Sequence, residues 1–354
     1  MATTTLTAAA LIGPLTIAAL TLAQGTPAPQ GTVPPEAIQG VAPKTDAERA
    51  AMAIAARMNW AEVVEAKVDT RVVTGPEFAT AIRATGLPWR IRDKQTGIEM
   101  LLVPNGSFNM GMSVGDAAAT GDERPVHEVI LTKPFYLGRT EVTQTQWAKT
   151  MGSNPSYFQD VNFKPMSDSE REAKIDEMVS EGFTRQQAQM KIGPQNLAPI
   201  STASWPVETL TWDDIQLFTE KTGLRVPTEA EWEFACRAGS TEPTYGTLDQ
   251  IAWTSATAEE RTHPVGAKLP NALGFYDMIG NAWEWTNDWY AADYYKACEF
   301  GATDPRGPGA NSFRVLRGGS WDFDARSCRA SFRLNYFLGD PRITDFGLRV
   351  ARTP

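Results

Sequence analysis

The residues best suited to chemistry lie late in the chain. Asp277-Met278-Ile279-Gly280-Asn281-Ala282-Trp283-Glu284 places a carboxylate at each side of a glycine-bearing turn, so that backbone carbonyls between them can turn inward with both charges. Oxygen donors at that density suit one hard cation, Ca²⁺. The plainer reading is that Asp277 caps a turn and Glu284 hydrogen-bonds a loop. Non-haem iron would need histidines with a carboxylate. His127 and His263 are far apart in the chain, each beside a proline-bearing turn, and are read as structural. Nucleophile–histidine–acid arrangements fail on the same ground. Gly318-Gly319 is too little for a phosphate loop and reads as a place of close backbone packing.

The stretch from Asp322 to Phe346 has a different character. Ala325, Arg326, Cys328, Arg329, Ala330, Arg333, Pro341, Arg342 and Gly347 read as scaffold. Between them stand Asp322, Phe323, Asp324, Ser327, Phe332, Leu334, Tyr336, Phe337, Leu338, Ile343, Thr344 and Asp345, a chemically mixed set. Tyr336-Phe337-Leu338 in a loop flanked by Gly, Asp and Pro would present apolar surface where polar turn residues are usual, a mark of binding. Lys, Glu, Gln, Met and Trp are absent from 322–346, and every residue present can be encoded by a codon ending in C. These twelve residues are the candidate ligand-binding face.

Positioning these groups falls to a chain of 354 residues with a formal net charge of −9 and no basic run, which argues against a nucleic-acid partner. The apolar segment Ala8 to Ala23 suits a secretory signal over 1–23, although no Lys or Arg precedes it. Residues 24–45, rich in Pro, Gly, Thr and Ala, read as a linker. Apolar spacing from Asp46 to about Val68 predicts helix within an N-terminal extension over 46–85. The main domain spans 86–354. It opens with strand-like runs at Trp89-Arg90-Ile91 and Ile98 to Val103 around a Lys94–Gly97 turn, then Phe108 to Met112 and Val126 to Leu131 around a polar loop. Thr143, Thr211 and Thr228 are predicted to open helices, the first and last through capping boxes, with Gly223 ending the second. The charged segment 166–192 reads as a solvated helical insertion. No stretch after the signal is apolar enough to span a bilayer.

Three motifs in order carry a resemblance: Pro227-Thr228-Glu229-Ala230-Glu231-Trp232-Glu233, Gly280-Asn281-Ala282-Trp283-Glu284-Trp285, and Arg317-Gly318-Gly319-Ser320-Trp321 running on to Arg333 and Gly347-Leu348-Arg349. Together they resemble the formylglycine-generating enzyme, or sulfatase-modifying factor, family over roughly Gly86 to Thr353. The resemblance implies an α+β fold of the C-type lectin-like kind with little regular secondary structure. It implies calcium held by Asp277 and Glu284 through side chains and by Gly280 and Ala282 through carbonyls; a second family site should lie in Trp253 to Thr262, but the Asn and acidic ligands expected for it are not in evidence there, so one site is expected. Oxidase members bind copper with two cysteines five residues apart after the Gly-Gly-Ser. Here the first position is Phe323, and a lone thiolate cannot supply the paired soft ligands Cu(I) prefers, so copper is not expected. By the same resemblance Cys236 pairs with Cys328 in a disulfide, leaving Cys298 over; alternatively Cys328 takes the second copper position. The 322–346 pattern also resembles the variable region of retroelement-diversified proteins, while an undiversified family member with its aromatics in the core accounts for the same residues. The expectation is an exported, calcium-stabilised domain that binds a protein or small molecule through its C-terminal loops, opposed by an oxidase or other modifying enzyme of protein or small-molecule substrates using the groove near Trp283, Ser320 and Cys328.

Overall fold

A computed structural model describes residues 57–160, 168–185, 187–188, 201–338 and 342–354. The expected signal, the linker and the start of the helical extension lie outside the described residues, as do parts of the 166–192 insertion. In chain order the elements are β1 (Ala61–Glu65), α1 (Pro76–Ala84), β2 (Arg90–Asp93), β3 (Glu99–Val103), β4 (Gly106–Met110), β5 (His127–Leu131) and β6 (Phe135–Gly138). Helices α2 (Gln144–Met151), α3 (Asp168–Ser180), α4 (Trp212–Thr222) and α5 (Glu229–Arg237) follow. The remainder is β7 (Trp283–Trp289), β8 (Ala302–Thr303), β9 (Phe313–Arg317), β10 (Leu334–Phe337), β11 (Phe346–Gly347) and β12 (Ala351–Arg352), with two single-turn helices between α5 and β8.

The α+β class holds, with three small sheets in the orders β1-β2-β3-β6-β12, β10-β9-β7-β11 and β4-β5-β8. The β2–β3 hairpin forms where expected. Asp93 Oδ1 accepts from the Thr96 amide at 2.8 Å and its hydroxyl at 2.7 Å, and Gly97 supplies the positive φ of +81° that closes the turn. The helix expected from Asp46 to about Val68 requires correction over 61–65, while 46–56 lie outside the described residues. Ala61–Glu65 is a strand paired antiparallel to β2, with Ala61 opposite Asp93, so this segment belongs to the main sheet. Val63 and Val64 are β-branched and favour the pleated surface, and an apolar run this short does not distinguish the two periods.

Helices α2, α4 and α5 each begin with a reciprocal cap: Thr143 with Gln146, Thr211 with Asp214, Thr228 with Glu231. Gly152 and Gly223 end the first two in the left-handed conformation. Regular elements account for a modest part of the chain, and buried charge pairs hold the loops between them. Arg317 reaches Glu233 at 2.5 Å and Glu229 at 3.2 Å on α5, and Arg333 reaches Glu229 at 2.7 Å. Arg329 grips Glu123 at 2.7 Å and Asp116 at 2.6 Å in the loop between β4 and β5. Arg349 holds Glu284 of β7 at 2.7 Å.

Glu123 has no cationic partner besides Arg329 among its named contacts. Removing one member of a buried pair strands the other charge. Arg329→Ala should therefore lower the unfolding free energy by about 3 kcal/mol or more, read from urea denaturation.

Candidate functional site

The C-terminal face is built on β7, β9, β10 and β11. Trp283 and Trp285 are buried on β7. Phe346 of β11 pairs in parallel with Trp283, and the Asp345 carbonyl accepts the Trp283 amide at 2.8 Å. Upon this floor stand the candidate aromatics: Phe323 edge-on to Trp283 at 5.2 Å, Phe332 tilted against it at 5.8 Å, and Tyr336 edge-on to Phe346 at 4.5 Å. The twelve predicted residues are thus brought to one region, but not all outward. Asp322, Asp324 and Phe337 are exposed, and Phe337 leans on the half-buried to exposed Phe313 at 5.6 Å. Phe323, Ser327, Phe332, Leu334, Tyr336, Leu338, Ile343 and Thr344 are half-buried.

Two expectations for this face are corrected. Tyr336 and Phe337 lie on a strand, not in a loop, because Leu334–Phe337 completes an antiparallel pair with β9; alternation then turns Tyr336 toward Trp285 and Phe337 outward. Asp345 is only 3% exposed and belongs beneath the face. Its Oδ2 accepts from the Ser320 hydroxyl at 2.6 Å, whereas its Oδ1 has no hydrogen-bond partner among the described residues. Burial raises the Asp345 carboxyl to about 6. Close by, Glu208 is fully buried, accepts from the Phe158 and Tyr157 amides at 2.9 and 3.1 Å, and is raised to about 7 by burial. Sequence reasoning missed Glu208; a lone acid inside the apolar run Trp205-Pro206-Val207-Glu208-Thr209-Leu210 was the available signal.

The expected Cys236–Cys328 disulfide is also corrected. All three cysteines are free and buried. Cys236, on the last turn of α5, points to the Met278 carbonyl at 3.8 Å. Cys328 points instead to the Phe323 carbonyl at 3.6 Å and the Ser320 carbonyl at 3.9 Å. Burial pushes the Cys328 thiol up to about 12, so it is held as the thiol. Gly319 makes this arrangement feasible: at φ +82°, a Cβ there would stand 2.5 Å from Cys328 Sγ. A paired-glycine close approach is what the sequence suggested.

Asp277 and Glu284 do meet, in a buried cluster with Arg349 and Glu141. Both Glu284 oxygens receive Arg349, and one also receives the Trp232 indole at 2.6 Å. Asp277 Oδ2 accepts from the Gly266 amide at 2.6 Å, while Asp277 Oδ1 and both Glu141 oxygens lack partners among the described residues. Burial, reinforced by the neighbouring Asp277, drives the Glu141 carboxyl up. Three carboxylates against one guanidinium leave negative charge that a hard cation would offset. Among the described residues no group of three or more Asp, Glu, His or Cys side chains is placed to hold a metal ion, so backbone oxygens such as those of Gly280 and Ala282 would have to contribute. Glu141, in Arg139-Thr140-Glu141-Val142-Thr143 ahead of α2, was not singled out by sequence. The histidines are structural as expected: His127 Nδ1 contacts the Pro125 carbonyl at 3.0 Å, and His263 Nε2 contacts the Ala258 carbonyl at 2.7 Å under a Trp253 ring stacked at 3.8 Å. A cavity of about 580 Å³ lined by Phe78, Phe108, Met112 and Phe234 contains none of these groups.

A fold of small sheets clipped by buried arginines, with a Gly-Gly-Ser turn over a tryptophan floor, defines a class. Residues 89–354 match the sulfatase-modifying factor enzyme 1-like domain, and the chain belongs to that family, with its α+β, C-type lectin-like fold. The formylglycine-generating enzyme of Streptomyces coelicolor is 30% identical over 254 residues, covering 62% of this chain and 77% of that one. The serine/threonine-protein kinase pkn1 of Chlamydia caviae is 33% identical over 255 residues, covering 72% of this chain; this chain spans 38% of that kinase. Among solved structures, PvdO from Pseudomonas aeruginosa aligns with TM-score 0.56 at 26% identity over 75% of this chain and 98% of that one. Treponema denticola variable protein 1 aligns with TM-score 0.52 at 26% identity, covering 73% and 95%.

The raised Asp345 carboxyl has a consequence for stability. Its folded value near 6 exceeds the ordinary 3.8, so its favourable contribution is complete below about pH 4 and lost as pH rises through 6. Asp345→Asn does not titrate, and its oxygen can keep the Ser320 bond. It should exceed wild type in stability by on the order of 2 kcal/mol at pH 8, a difference that fades toward pH 4. Denaturant melts across that range measure it.

Proposed function

We propose that this chain is a non-catalytic member of its family that binds a protein or small-molecule ligand through the C-terminal face. The carrying observation is the filling of the place where oxidase relatives keep their first copper cysteine. Phe323 stands there with its ring packed on Trp283, and the remaining Cys328 is a buried thiol held well away from its thiolate form. Exposed Asp322, Asp324 and Phe337, rimmed by half-buried aromatics, supply an acidic and aromatic surface on a scaffold pinned by Arg317, Arg329 and Arg333. That is the usual division of labour between framework and binding surface. The likeness to the Treponema variable protein supports the same reading and leaves diversification to the gene: Asn codons at matching positions of a neighbouring near-copy, beside a reverse transcriptase, would mark it. Export through 1–23 belongs to this reading, since a displayed binding face meets its partners outside.

The cation of this reading is Ca²⁺, held by Asp277, Glu284 and the carbonyls of Gly280 and Ala282, with Glu141 adding nearby negative charge. Its support is the unmatched charge and the orphaned carboxylate oxygens of that cluster. Bound there, the ion would stabilise the turn beneath the face without taking part in a reaction. Calcium should raise the melting temperature by several degrees and chelator should reverse it, following about 1–3 kcal/mol of binding linkage. In Glu141→Gln the shift should shrink; an unchanged melting temperature in wild type would remove the ion from the reading.

The oxidase alternative is tested directly. Full-length protein supplied with Cu(I), oxygen and a cysteine-bearing sulfatase peptide should yield no aldehyde. Turnover that disappears in Cys328→Ser would overturn the binding reading.

A further inference from the structure

Among the charged groups of the C-terminal face, Asp345 stands out because the Ser320 hydroxyl is its one side-chain donor among the described residues, and no cation faces it. Its neighbours Asp322 and Glu208 are both acidic. Arg342, three residues earlier in the chain, is already committed to the Thr209 carbonyl at 2.8 Å and to Asp214 at 2.7 Å. Asp345 Oδ1 is buried and unpartnered among the described residues. A buried carboxylate oxygen without a donor is costly, and structures tolerate it where something else completes it.

The pair lies one residue below the surface. Trp321 follows Ser320, Thr344 precedes Asp345, both are half-exposed, and the Trp321 indole reaches the Thr344 carbonyl across a long 3.5 Å contact. Phe158 meets Trp321 edge-on at 5.4 Å, and exposed Tyr157 continues that wall. A buried carboxylate oxygen and aromatic side chains on the neighbouring segments are the two elements that recognise an alkylammonium ion.

We infer that Asp345 Oδ1 seats the ammonium group of a ligand, in the manner of a lysyl side chain that displaces the long Trp321–Thr344 contact as it enters. This rests on the binding reading above and gives that face its ligand chemistry. The choice of ammonium over guanidinium follows from Ser320. A guanidinium fork seeks both carboxylate oxygens, and Oδ2 already holds the Ser320 hydroxyl at 2.6 Å, which leaves one oxygen for a compact donor.

The test uses the full chain and three probes, the N-acetyl N-methylamides of lysine, norleucine and arginine, titrated to about 10 mM by calorimetry and tryptophan fluorescence. Lysine should bind about tenfold more tightly than norleucine and more tightly than arginine, and Asp345→Asn should erase the lysine preference. Ser320→Ala, which frees Oδ2, should move the preference toward arginine and serves as an independent second variant. Equal affinity for lysine and norleucine, no binding of any probe, or a lysine preference that survives Asp345→Asn overturns the inference. The aldehyde assay separates the two layers: a failed lysine preference without turnover removes the ammonium seat and keeps the binding reading, whereas turnover removes that reading.

Discussion

Buried pairing between arginines of the C-terminal segment and carboxylates elsewhere is the constraint on which this fold depends. Arg317 and Arg333 reach into α5, Arg329 into the loop before β5, and Arg349 onto β7, all essentially out of water. Desolvating such groups is expensive, and the geometry compensates with several hydrogen bonds each; Arg349 also serves the carbonyls of Gly138 and Tyr276 at 2.9 and 2.8 Å. A guanidinium offers five donors in a fixed plane, so each arginine can satisfy loop carbonyls that no helix or ladder reaches. This allows a chain with short strands and long connections to hold a defined surface.

The same comparison singles out what is not paired. Around Glu123, Glu229 and Glu233 each negative charge has an arginine. At Glu141–Asp277 and at Glu208–Asp345, acids outnumber the cations and buried oxygens go unmatched. The first cluster includes Asp277 and Glu284, which flank Gly280 in the chain, and the second is tied to the Ser320 turn by the Ser320–Asp345 hydrogen bond. Stability alone favours neither, since a buried carboxylate is tolerated best when compensated.

Much of the scaffold was legible from residue order. The reciprocal caps at Thr143, Thr211 and Thr228, the turn at Gly97 and the close approach at Gly319 follow from local chemistry, in which the side chain and its backbone partner lie within a few residues. The face was less legible. Phe323, Phe332 and Tyr336 look in sequence like any exposed aromatic, and only the positions of Trp283 and Phe346 show how far each is covered. Cys236 and Cys328 were paired by likeness to relatives, while the side-chain directions send one toward Met278 and the other toward Phe323. The strand at Ala61–Glu65 was missed because its partner β2 begins twenty-five residues beyond that strand's end, outside any local period.

Residue order by itself determined the family, the helix starts, the tight glycine turns and the missing first cysteine, because each of these is written in contiguous or closely spaced side chains. Only the tertiary structure decided which acids meet arginines and which stay unmatched, how many of the C-terminal aromatics face water, and that Asp345 lies beneath the surface. Those outcomes depend on electrostatics and packing between segments 25 to 206 residues apart, and short-range patterns carry no record of such distances.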